Sequence, residues 1–147
     1  MTELNIIKMN NEFVSYKMAL ALKELGFNES CFTYYYNLSG KLRTNISVDI
    51  DNGWTYFPNK KSITLAPTFS QAFRFFREKY NIQGYIYSSA VRGNAEKTKQ
   101  FTGYIWNING IDMPFLSTDA RDKLHDTYEE AELACLMKLI EIKNKSV

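Results

Sequence analysis

Proline is scarce, with 3 in 147 residues, and glycine nearly so at 7. A chain this poor in the two residues that punctuate regular structure is not collagen-like, low-complexity or linker-rich. Only 2 cysteines occur, Cys31 and Cys135, far apart and without a CxxC pair or a neighbouring histidine. That spacing supports neither a disulfide framework nor a cysteine zinc site, and it suits buried thiols in a reducing compartment. No stretch approaches the roughly 18 apolar residues of a membrane span. Residues 1–13 also lack the basic-then-apolar order of a secretory leader. The expectation is a cytoplasmic protein with no membrane partner. Phosphate-cradling glycine loops, GxSxG elbows and HExxH motifs are all missing from the sequence.

What is present is a core. Hydrophobic residues make up 45% and charged residues 23%, and at 147 residues folding buries roughly 70% of the unfolded chain's surface. One domain over residues 1–147 is the expectation, needing neither metal nor disulfide. The net charge of +2 is spread unevenly. Residues 41–105 hold ten basic and four acidic groups, a local excess of +6, whereas residues 117–147 come to −2. An asymmetry of this kind can mark a surface that faces a polyanion, although scattered surface lysines produce it too.

Along the chain, residues 12–25 place Val14, Met18, Ala21, Leu22 and Leu25 on one helical face, with Gly26 and Phe27 as a C-terminal cap. Residues 31–36 and 41–50 alternate as strands across a turn at 37–40, and residues 54–57 suggest a third. Thr68 and Gln71 form a capping box for a second helix whose stripe is Phe69, Ala72, Phe73, Phe76 and Tyr80. Arg74 and Arg77 share its exposed flank. Residues 84–89 and 101–108 read as strands around a polar loop. Asn109-Gly110 then turns the chain into a piece that Pro114 confines to an edge or a loop. Thr127 and Glu130 cap a last helix running to Lys143, apolar on two faces. The order is helix, strands, helix, hairpin, helix: an α+β fold with one antiparallel sheet of about five strands packed against three helices.

Catalytic candidates are thin. The single histidine, His125, stands among charged residues before the last helix and reads as a surface or capping residue. Cys135 falls on an apolar helix face, where a thiol is inert. Asp49 and Asp51 open like a calcium loop, but Gly53 and Lys60 occupy the wrong positions for one. No catalytic residue, metal ligand or cofactor is assigned. Nucleic-acid binding is better founded. Tyr85, Tyr87, Tyr104 and Trp106 lie on neighbouring strands and could stack bases, while Arg92, Lys97 and Lys99 in the connecting loop could meet phosphates. If Ile86 faces the core, Tyr85 and Tyr87 are both exposed; the plainer reading puts all four rings in the core. Exposed tyrosines, Arg74, Arg77 and the two-faced last helix also suit a protein interface, including a homodimer through that helix.

The segments KELGFNESCF, APTFSQAFRFFREKYNI and YEEAELACLMKLIEI together resemble small proteins of phages and mobile elements in Bacteroidota. The resemblance brings no catalytic residues. It implies an anti-defence factor such as an anti-CRISPR protein, with the RNA-targeting type VI-B effectors of those hosts as a target. The partners expected on that basis are a host defence effector, its RNA, or both. A small RNA- or DNA-binding accessory protein without a protein target is the alternative.

Overall fold

The computed structural model describes residues 11–44, 61–91, 100–111, 113–117 and 124–145. The chain divides into two compact units, Met1–Ala72 and Phe73–Val147.

In the first unit, helix α1 (Tyr16–Glu24) starts later than its apolar periodicity suggests. Phe13 bridges to Thr68, and Val14 donates its amide to the Pro67 carbonyl at 3.0 Å, so the chain is still extended there. Ser15 is the N-cap and accepts from the Met18 amide. At the other end the cap is a complete Schellman motif. Gly26 sits at φ 88°, its amide reaches the Lys23 carbonyl, and the Phe27 amide reaches the Leu22 carbonyl at 2.9 Å. The buried face is Val14, Met18, Ala19, Leu22 and Leu25, with Ala19 in the place expected for Ala21.

Strands β1 (Thr33–Tyr36), β2 (Leu42–Thr44) and β3 (Ile63–Ala66) form an antiparallel sheet in the order β2-β1-β3. β1 does not alternate: Thr33, Tyr34 and Tyr35 are all buried. Its polar atoms are satisfied inside. Thr33 Oγ1 donates to the Ala66 carbonyl at 2.6 Å, and the Tyr35 hydroxyl donates to the Val14 carbonyl at 2.8 Å. β3 was not expected: Ile63–Ala66 is a strand through its antiparallel pairing with β1, distant in sequence. Residues 45–50 of the expected second strand and the expected strand at 54–57 lie outside the described residues.

Helix α2 (Phe69–Tyr80) carries the expected capping box: Thr68 Oγ1 accepts from the Gln71 amide at 3.2 Å, and Gln71 Oε1 accepts from the Thr68 amide at 3.1 Å. The division between the units falls in its first turn. Ala72, Phe75 and Phe76 are its buried residues, while Phe69, Phe73 and Tyr80 are half-buried.

The second unit holds β4 (Ile82–Val91), β5 (Gln100–Gly110) and β6 (Met113–Ser117) in that order, all antiparallel, with helix α3 (Tyr128–Asn144) packed on β4 and β5. Pro114 lies in β6, an edge strand of this sheet, where its missing donor costs no ladder bond. α3 begins at Thr127, whose Oγ1 accepts from the Glu130 amide; Glu130 returns the bond to the Asp126 amide instead of its own cap. Ala131, Cys135, Leu136, Leu139 and Ile140 are buried, which uses most of the helix's apolar breadth within the fold. Leu133 and Met137 remain exposed.

The described strands therefore form two three-stranded antiparallel sheets, and the single five-stranded sheet expected from the sequence is corrected. Each strand pairs only with strands on its own side of α2, so no ladder joins β3 to β4. Among the described residues no helix is long and apolar enough to cross a membrane.

Candidate nucleic-acid interface

Register decides which rings of the second sheet share a side. Residues directly opposite in an antiparallel pair point the same way, and neighbours along a strand point opposite ways. Tyr85 faces Asn107, Ile86 faces Trp106, Tyr87 faces Ile105, and Ser88 faces Tyr104. One side thus carries Ile82, Gly84, Ile86, Tyr104, Trp106 and Ile108. This is the helix side: a Cβ added at Gly84 would lie 2.6 Å from Cys135 Sγ and 2.7 Å from the Phe73 ring. Tyr104 meets Tyr128 of α3 edge-on at 5.8 Å.

The other side carries Gln83, Tyr85, Tyr87, Ile105, Asn107 and Asn109, with Phe115 from β6. Tyr85 is 41% exposed, Tyr87 43% and Phe115 61%, while Ile105 on the central strand is only 8% exposed. Asn107 Nδ2 donates to the Tyr87 hydroxyl at 2.6 Å, bracing one ring from across the strands. Half-buried Ile86 on the helix side meets the condition on which the exposure of both tyrosines was expected. Of the four aromatics, only Tyr85 and Tyr87 share the side away from α3. Tyr104 and Trp106 are half-buried on the helix side, because they stand out of phase with Tyr85 and Tyr87 by one residue.

Arg74 and Arg77 are both exposed on α2, as their spacing suggests. Arg77 lines a depression of about 410 Å³ with Asn81, Gln83, Asn109, Gly110 and Ile111, so it reaches the end of the side that bears the tyrosines; Arg74 does not line it. Asn81 adopts φ 53°, a left-handed backbone that asparagine tolerates, and this single residue turns the chain from α2 into β4. Arg92, Lys97 and Lys99 lie outside the described residues. Sequence reasoning missed Gln83, Asn107, Asn109 and Phe115. Their signal was the alternation itself, which becomes usable only once the register is known.

The residues considered for catalysis are held in other ways. His125 is engaged through its backbone, exchanging hydrogen bonds of 2.8 and 3.0 Å with Tyr104. Burial, reinforced by nearby Glu29, pushes the Cys31 thiol up to about 12. Burial, with Glu132 adding to it and a hydrogen bond to the Tyr85 backbone opposing it, does the same for Cys135. Both are neutral thiols at physiological pH, which are poor nucleophiles. Among the described residues no cluster of three histidine, cysteine or carboxylate side chains could hold a metal ion. The first unit contains a groove of about 500 Å³ between the end of α1 and β3, where Lys23 Nζ donates to the Ile63 carbonyl. No family model matches the chain, and no curated protein or solved structure is significantly similar to it.

Proposed function

We propose that this protein acts by binding, without catalysis or a cofactor, as a phage-encoded anti-defence inhibitor of the anti-CRISPR kind that engages a host nucleoprotein effector in the cytoplasm. The observation that supports this reading is the exposed pair Tyr85 and Tyr87 on β4, with Phe115 exposed on the same side two strands away, on the side of the sheet opposite α3. Three aromatic side chains left in water on one side of a sheet are unfavourable for folding alone and typical of an interaction surface, where tyrosine supplies much of the binding energy. A second reading, a nucleic-acid-binding accessory protein without a protein target, is favoured by Arg77 at the end of the same side.

A tagged pull-down from a defence-competent host lysate, with and without nuclease, separates the two. Recovery of a defined defence effector after nuclease treatment, lost in a Tyr85→Ala/Tyr87→Ala variant, supports the inhibitor reading. Protein partners that vanish with nuclease and leave only nucleic acid put the second reading in its place.

A further inference from the structure

We infer that the open side of the second sheet is a lengthwise track for single-stranded nucleic acid, with Tyr85 and Tyr87 stacking bases and the Arg77 depression holding a backbone phosphate. The inference rests on the binding reading above and names the chemistry its surface takes. Gln83, Tyr85 and Tyr87 occupy alternate positions of β4, so they form a straight row with steps of about 6.8 Å. The row ends in the depression, where Gln83 is itself a lining residue. Stacking platform and anion site are therefore continuous along one strand.

The depression has the chemistry of a phosphate site. Among the described residues its lining offers one guanidinium and the side-chain amides of Asn81, Gln83 and Asn109, and no carboxylate. A guanidinium presents paired N–H donors that match phosphate oxygens, and amide N–H groups supply further donors. No salt bridge joins Arg77 to a carboxylate among the described residues. In the sequence, the segment that contains Arg77, residues 41–105, carries a net +6, a charge balance that suits a polyanion. The rings also suit unpaired bases over a duplex. A duplex hides its base faces, whereas tyrosines exposed on a sheet can stack only on bases that are splayed out. Asn107 holds the Tyr87 hydroxyl from the neighbouring strand, so that ring is partly ordered before any ligand arrives.

Fluorescence anisotropy of the purified full chain with a labelled short oligouridylate tests this, with oligothymidylate and a duplex of equal length as further arms. Binding to a single strand in preference to the duplex is expected, and the ratio of the two single-strand affinities shows whether RNA or DNA is the better ligand. Tyr85→Ala and Tyr87→Ala should each weaken binding about tenfold and leave its salt dependence intact. Arg77→Gln should weaken it and also flatten the slope of log affinity against log salt by about 0.7, the share of one phosphate. All three side chains are exposed, and thermal melts matching the parent chain certify that the variants fold. Absence of single-strand binding by the parent chain, equal binding of the duplex, or an Arg77→Gln variant with unchanged affinity and slope overturns the track. An effector captured after nuclease and lost with the tyrosines, by a chain that binds no oligonucleotide, overturns the track while leaving the inhibitor reading in place.

Discussion

A methyl group at Gly103 would lie 2.7 Å from the His125 carbonyl oxygen, on a residue whose φ of 144° already disfavours any side chain. The obstruction is backbone, pinned by the paired hydrogen bonds between Tyr104 and His125, so it has no means of moving aside. Gly103→Ala should cost about 2–3 kcal/mol, read as a lower urea midpoint at constant m-value. Gly84 is tight for a different reason: the atoms it would meet belong to the Cys135 and Phe73 side chains. Overpacking there costs about 1–3 kcal/mol. Removing the thiol makes room, so the Gly84→Ala/Cys135→Ala pair should lose less stability than its single variants together. The thiols also set a pH dependence. With Cys31 and Cys135 raised from 9.0 to about 12, the folded chain keeps two protons that the unfolded chain releases. Their contribution is complete below pH 9 and is lost as pH climbs toward 12, at up to about 1 kcal/mol per pH unit for each thiol. Cys135→Ala should show a shallower decline in unfolding free energy over that window than the parent chain.

At the scale of elements, the helix ends carry the clearest local signals. Gly26→Ala forces a side chain into the left-handed cap at φ 88° and should cost about 1 kcal/mol. Thr127→Ala removes the acceptor for the Glu130 amide and should cost about the same, both measured by urea unfolding. These caps were legible in the sequence because every group involved lies within a few residues of the next. Thr68 with Gln71, Thr127 with Glu130, and Gly26 with Phe27 all fall where sequence spacing puts them. β3 was not legible, since Ile63–Ala66 becomes a strand only by pairing with β1, far away in sequence. The candidate site divides along the same line. The exposure of Tyr85 and Tyr87 followed from strand alternation once Ile86 faced inward, and that of Arg77 followed from helical spacing. Trp106 and Tyr104 went to the other side because hairpin register depends on the connection between the strands and on the irregularity at Ser89 and Ala90. A slip of one residue exchanges every side chain between sides. No reading of residues 101–108 alone could set that phase, and with it Asn107, Asn109 and Phe115 stayed hidden.

For the whole molecule, the decisive quantity is how charge is placed along the chain. The net +2 is too small to imply a polyanionic partner, yet residues 41–105 alone reach +6 while residues 117–147 are at −2. If the basic segment serves nucleic-acid contact, its charge acts mainly through released counterions, and affinity must fall steeply with salt. Replacing Arg74, Arg77, Arg92, Lys97 and Lys99 together by Glu tests this beyond the single contact at Arg77. Binding of an oligonucleotide should be abolished at physiological salt, with what remains at low salt nearly independent of ionic strength. Folding should survive, because exposed substitutions such as those at Arg74 and Arg77 typically change stability by no more than about 0.5 kcal/mol each. The contrast with the tyrosines carries the argument. Stacking is short-ranged, so Tyr85→Ala lowers affinity by a constant factor at every salt concentration, whereas the charge reversal changes the slope itself. If the reversed variant keeps the parent's salt dependence, the basic segment is an ordinary solvated surface, and recognition belongs to the aromatic row alone.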